Sequence, residues 1–175
     1  MLLLCGCDSN PEMDDVIGFR QRMLTSDGYI LCAQITADYG DAVYSFTVEC
    51  TFDQTGTMDF IVTSPQTIHG ITGTVDGDQG KLTFDDQALL FELLADGQLS
   101  PISAPWIAIN ALRSGYIQSC GVDGDNIRIV LDDSYDSNAL RVDWWVTKQM
   151  IPVVAEISWQ NRRILTMQVV SFSYL

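Results

Sequence analysis

Apolar and polar positions follow a helical period first, then alternate strictly, and each change of period marks an element. Over residues 11–26, Met13, Ile17, Arg20 and Leu24 fall on one stripe, which Val16, Phe19 and Met23 widen. Asn10 suits an N-cap, Pro11 the first helical position, and Glu12, Asp14 and Asp15 the positive end of the helix dipole. Asp27-Gly28 ends the helix. From there the period is two. Tyr29, Leu31, Ala33, Ile35 and Ala37 alternate with Cys32, Gln34 and Thr36; Tyr39-Gly40-Asp41 turns the chain; Tyr44, Phe46, Val48, Cys50 and Phe52 return. This predicts a long antiparallel hairpin with one apolar face. Gln54-Thr55-Gly56 leads into a third strand, Met58, Phe60 and Val62, which Pro65 stops. Short strands are predicted at 70–75, 81–85 and 88–93, with turns at 76–80 and 85–87.

The alternation then breaks. Trp106-Ile107-Ala108-Ile109-Asn110-Ala111-Leu112 is apolar nearly all round, is punctuated by Pro101 and Pro105, and ends at Gly115. A helix of this kind must be buried on most sides, so it is predicted to lie across the sheet. Strands resume at 116–120, at Ile127, Ile129 and Leu131, at Leu140 through Val146, and at Val153 through Trp159; Gln160-Asn161 turns into a last strand over 163–174. The order is helix, six strands, helix, five strands, within one domain spanning residues 8–175.

So many sequential antiparallel strands curl, and the apolar face becomes concave. Large side chains dominate its inward positions: Tyr44, Phe46, Phe60, Phe84, Phe91 and Trp144. Two outcomes are open. The hollow holds a ligand, as sheets closed on themselves can, or its side chains and the two helices fill it completely.

Composition narrows the partners. The chain has 175 residues, is 47% hydrophobic and carries a net charge of −14, with nine basic against 23 acidic residues. That excludes nucleic acid, whose phosphates need clustered Lys and Arg, and disfavours lying flat on anionic lipid. No run reaches the roughly 18 apolar residues of a membrane span.

The first residues, Met1-Leu2-Leu3-Leu4-Cys5-Gly6-Cys7, resemble a bacterial lipobox: Leu, two small residues, then the cysteine that receives diacylglycerol. On this reading residues 1–7 are the remnant of a signal segment, Cys7 is the lipid-attachment site, and the chain is extracytoplasmic, touching the membrane through that anchor only. The apolar run is shorter than a secretory core of roughly 7–15 residues and has no basic flank. A start upstream of Met1, or an ordinary apolar N-terminus, are the two ways to read that. Cys32 and Cys50 lie on the two arms of the first hairpin. With a loop of about three residues they face each other, and an oxidising compartment would permit a disulfide; the alternative is two small core residues. Cys120 is left over.

A broader likeness follows from the order of these elements. The leading helix and long hairpin precede a Gly56-x-Met58-x-Phe60-x-Val62 strand, then Ser64-Pro65 and Ile68-His69-Gly70-Ile71-Thr72; the apolar helix sits mid-chain, and a closing hairpin carries Pro152-Val153-Val154-Ala155-Glu156-Ile157. Over residues 10–175 this resembles the LolA-like lipoprotein-carrier superfamily, in the form found as lipoproteins of clostridia-type Gram-positive bacteria, among them germination-associated spore lipoproteins. The resemblance implies an unclosed antiparallel β-barrel of about eleven strands, with helices covering its concave face. It implies that Tyr44, Phe46, Val48, Phe60 and Val62 line the hollow, with Trp106, Ile109 and Leu112 in the lid. The expected partner is a lipid or acyl chain; a protein partner or a second copy of the chain is the alternative, with the same fold and a filled core.

A catalytic centre has no visible parts. His69 is the single histidine and reads as a loop residue. No Gly-x-Ser-x-Gly, His-Glu-x-x-His or phosphate-loop pattern occurs. Asp76, Asp78, Asp123 and Asp125 evoke calcium loops but lack the spacing and the closing Glu, so they read as solvated turn residues. One histidine and no C-x-x-C give no zinc site. The expectation is a protein without cofactor or metal that is not an enzyme.

Overall fold

A computed structural model describes residues 11–77, 79–84, 87–92, 94–95, 98–132 and 140–175. Helix α1 (Pro11–Thr25) is followed by β1 (Gly28–Asp38), β2 (Val43–Asp53), β3 (Met58–Ser64), β4 (Thr72–Asp76), β5 (Gln79–Phe84) and β6 (Gln87–Glu92). A two-stranded ribbon, β7 (Leu94–Ala95) and β8 (Gln98–Leu99), leads through a 3-10 turn (Pro101–Ser103) into α2 (Ala104–Ser114). Then come β9 (Tyr116–Asp123), β10 (Asn126–Asp132), β11 (Arg141–Thr147), β12 (Pro152–Trp159) and β13 (Arg162–Tyr174).

Eleven strands form one sheet in the order β6-β5-β4-β3-β2-β1-β13-β12-β11-β10-β9. Two meanders, β1–β6 and β9–β13, are thus joined where the first strand pairs with the last, and β6 and β9 are the free edges. The sheet is antiparallel throughout and unclosed, the mainly β architecture with two helices that the patterning predicts.

The turns set the register. Asp38 pairs with Val43, so the first hairpin closes over 39–42; the Asp38 carboxylate accepts from Gly40 N at 2.8 Å. At the β2–β3 turn, Asp53 Oδ1 accepts from Gly56 N at 2.8 Å, Thr57 N at 2.9 Å and Thr55 Oγ1 at 2.7 Å, while Gly56 supplies the left-handed φ of 96°. Gln160 and Asn161 both have positive φ, the geometry that matches a two-residue turn to strand twist.

In α1 the buried face is Val16, Phe19 and Met23. Ile17 and Leu24, assigned to the central stripe by periodicity, are each 43% exposed. The helix packs chiefly against α2 and β9, so a narrow face is covered and the stripe rotates toward it. In α2, Ile107, Ala108, Ile109, Ala111 and Leu112 are all buried, as an apolar helix across a sheet requires. It spans the concave face of β10–β13.

Candidate ligand-binding face

Register defines the concave face residue by residue. Phe52–Met58–Val75–Gly80–Phe91 form one inward row across β2–β6, and Cys50–Phe60–Gly73–Leu82–Leu89 form the next. On the other half, Ile129–Trp144–Ala155–Met167–Ile35–Phe46 is a continuous row into β1 and β2.

Most residues predicted to line a hollow sit within one packed core. Phe46, Val48, Phe60, Val62, Ile109, Leu112 and Trp144 are all buried there. Side chains with no exposed surface, such as Val48 and Trp144, touch protein on every side. Trp106 and Phe91 are half-buried against that core. Tyr44 points the same way as Phe46 but is 54% exposed, near the hairpin end of β2. The Phe84 side chain, Asp78 and the proposed attachment site Cys7 lie outside the described residues.

The helical cover is pinned from several directions. Trp144 Nε1 donates to Ala108 O at 2.9 Å in the core. Trp106 Nε1 donates to Gly56 O at 3.2 Å, and Arg113 Nη2 to Gln54 O at 2.8 Å, tying α2 to the β2–β3 turn. Arg113 Nη1 also donates to the Tyr29 hydroxyl at 3.3 Å. Burial pushes the Tyr29 phenol above its ordinary range, with the Arg113 hydrogen bond opposing. Arg20 of α1 donates from Nε to Leu112 O at 2.7 Å and from Nη2 to Gly115 O at 2.8 Å. The guanidinium thus satisfies carbonyls at the C-terminus of α2, where a cation also complements the helix dipole.

The cover stops short of one end. At the β4–β6 side, Leu82 and Phe91 are half-buried and Leu89 is 64% exposed, although its register places it on the same face as Phe60. Two glycines shape this floor. A Cβ on Gly73 would meet the Phe60 ring at 2.6 Å, and one on Gly80 would meet the Phe91 ring at 2.0 Å. Both rings therefore fold down against bare backbone instead of standing up from the sheet, which keeps the floor flat and aromatic. Leu82 and Leu89 were not among the residues singled out from the sequence. The signal was present: once Phe84 and Phe91 are placed inward, alternation carries Leu82 and Leu89 with them.

A second concavity is polar. A shallow cleft of about 380 Å³ is lined by Asp59, Phe60, Thr72, Gly73, Thr74, Lys81 and Thr83 on β3–β5, and Thr74 Oγ1 donates to Asp59 Oδ1 at 2.6 Å. On the convex face of the other half, Asp143 is buried and accepts from Arg128 Nη2 at 2.7 Å and Arg141 Nε at 3.0 Å. Arg128 also lies over the Trp145 ring.

Cys32 and Cys50 are free thiols on opposite faces. The register pairs Leu31 with Cys50 and Cys32 with Glu49. The turn has four residues, not about three, which moves each partner by one position, and a one-residue slip reverses the face. Burial drives the Cys50 thiol far above its ordinary range; half-buried Cys32 is raised less strongly, again by desolvation. His69 is exposed in the segment between β3 and β4. Asp76 ends β4, Asp123 ends β9 and accepts at Oδ2 from Trp145 Nε1 at 2.8 Å, and Asp125 lies in the β9–β10 turn. Among the described residues no three His, Cys, Asp or Glu side chains converge, and no helix is long and apolar enough to cross a membrane.

No protein-family profile matches the chain, and no curated protein does. Solved structures do resemble it. An uncharacterized conserved protein from Thermus thermophilus superposes with a TM-score of 0.52 at 8% identity, covering 93% of this chain and 87% of that one. A DUF1329 family protein from Desulfovibrio piger superposes with a TM-score of 0.52 at 11% identity, covering 95% and 94%. A LolA superfamily protein from Nitrosomonas europaea gives 0.49 at 9% identity, covering 91% and 92%. At these identities the likeness is one of fold alone, an open antiparallel half-barrel with helices on its concave side.

Proposed function

We propose that this protein is an extracytoplasmic, lipid-anchored binder of a lipid or acyl chain, held at the uncovered end of its concave face. One observation carries the reading. The apolar inner face runs on past its helical cover, so that Leu89 and Tyr44 are 64% and 54% exposed on the face where Val48 and Val62 are buried. Beside Leu89, the half-buried Phe91 ring lies over Gly80. An apolar ligand seated there removes this surface from water, and its binding is driven by area rather than by polar contacts. The lipobox-like Leu4-Cys5-Gly6-Cys7 supports the anchor at Cys7. The role is a non-catalytic one, and the exposed turn position of His69 is in keeping with it.

The test uses exposed positions, because a charge at buried Phe46 would break the fold before it reported on a ligand. Native mass spectrometry of the purified protein should show co-purifying acyl species. A fluorescent polyene fatty acid should bind, and Leu89→Glu or Tyr44→Glu should weaken it about tenfold, the equivalent of one buried aliphatic side chain. Ligand-free protein that also ignores the fatty acid overturns the reading. A second reading, a non-catalytic interaction module of the envelope or spore, is favoured by the filled half of the barrel, where Trp144, Ile109 and Leu112 leave no room for a chain.

A further inference from the structure

The two free edges of the sheet differ in how they are protected. Along β9 the ladder to β10 carries a register shift at Val130/Leu131, α1 packs alongside, and the strand ends in Gly121, Val122 and Asp123. Bulges and charges of this kind discourage pairing with another chain. Strand β6, Gln87-Ala88-Leu89-Leu90-Phe91-Glu92, ends in a charge as β9 does, but its ladder to β5 is regular from end to end and it contains no Pro or Lys. Leu89 on the concave side and Leu90 on the convex side are 64% and 74% exposed, the latter the most exposed large apolar side chain among the described residues. Lys81, across from Leu90 on β5, lines the polar cleft instead. Among the described residues no strand pairs with the far side of β6.

We propose that the β6 edge receives an extended segment of a partner protein, apolar in its middle and basic at its ends, which joins the eleven-stranded sheet as a further strand. Main-chain pairing supplies the affinity, and Leu89 and Leu90 supply apolar contacts on the two sides of the added strand. The charge of the occupant follows from the chain. Its net charge is −14, and in the sequence the apolar stretch is bracketed by Asp85-Asp86 and Glu92. A second copy would carry the same −14 charge and repel the first, whereas Lys or Arg flanks complement it. This inference shares Leu89 with the proposed ligand site, while the convex Leu90 and the strand backbone belong to it alone, so Leu90→Lys tests it separately.

The experiment measures binding of a synthetic peptide, acetyl-Lys-Lys-Val-Leu-Val-Leu-Lys-Lys-amide, to the full chain by fluorescence anisotropy. Binding is expected for this peptide. At least tenfold weaker binding is expected for its Glu-flanked counterpart, and none for a version N-methylated at alternate residues, which cannot pair its backbone. Leu90→Lys should reduce binding at least tenfold while the melting curve and fatty-acid binding stay unchanged; Ala88→Lys, exposed on the same convex side, is the second variant should the first unfold. Equal binding of the N-methylated or the Glu-flanked peptide overturns the proposal. So does a concentration-dependent dimer that Leu90→Lys abolishes, since the edge would then be occupied by a second copy.

Discussion

Replacing Arg20 tests whether the lid is held by the contact seen at its C-terminal end. Arg20 lies half-buried between the helices and donates to Leu112 O at 2.7 Å and Gly115 O at 2.8 Å, with a long contact to Ala111 O at 3.5 Å. Burial lowers its pKa, but guanidinium remains charged at any ordinary pH. In Arg20→Met the aliphatic packing is largely kept and the hydrogen bonds are lost. Each charge-assisted bond contributes about 1.5–3 kcal/mol when fully desolvated, and the cation at a helix C-terminus adds about 0.3–1 kcal/mol. Partial solvent access reduces this, and water can reach the freed carbonyls, so the expected cost is about 2–3 kcal/mol. For a chain of this size that is a fall in Tm of roughly 4–12 °C. Arg20→Lys keeps the charge and loses the fork, so it should recover no more than about 1 kcal/mol. The control is Lys148→Gln, which removes a positive charge from an exposed turn of the same acidic protein and should cost less than about 0.5 kcal/mol. Urea unfolding followed by tryptophan fluorescence reads the result directly, because Trp106 and Trp144 both hydrogen-bond around α2. Hydrogen exchange in the last turn of α2 should accelerate in step. An Arg20→Met protein within about 0.5 kcal/mol of the parent refutes the assignment.

Three further outcomes are expected. Peptide-mapped alkylation of the native protein at pH 8 should label half-buried Cys32 slowly and leave Cys50 unlabelled until unfolding, and a reductant should not change Tm; recovery of a Cys32–Cys50 linked peptide would contradict the register. Ile17→Glu should change stability by less than about 0.5 kcal/mol, whereas Phe19→Ala, two positions on and fully buried, should cost about 3–5 kcal/mol; equal costs would show that the buried face of α1 is misplaced. Asp53 is held below the ordinary carboxylate range, first by the Thr55 hydroxyl and then by backbone N–H groups of Thr57 and Gly56. Its contribution is therefore present above the unfolded-state pKa of about 3.9 and is lost as pH falls through the lower folded value. Acid unfolding of Asp53→Asn should show a shallower pH dependence below about pH 4, and an unchanged acid limb would remove Asp53 from the account.

Much of the architecture was legible because each strand is half-buried and alternation reports that directly. The arms of the first hairpin, the Met58–Val62 strand, the all-apolar helix around Ala108 and the closing turn at Gln160-Asn161 fall where the patterning puts them. Less legible was anything that depends on a count of turn residues. One extra position at 39–42 placed Cys32 and Cys50 on opposite faces. The covered side of α1 also escaped, since periodicity gives a stripe but not which edge of it meets α2 and β9.

Local chemistry along the chain thus determined the elements, their antiparallel order and the apolar character of one sheet face, because these follow from the period of side chains and the residues that turns demand. Only the folded arrangement decided how much of that face stays open. Val48, Phe60 and Trp144 were indistinguishable from Leu89 as inward apolar positions, yet the first three are buried and Leu89 is 64% exposed. The difference lies in where α2 ends and where Gly73 and Gly80 let aromatic rings lie flat, and such contacts join residues too distant in sequence for any local pattern to carry.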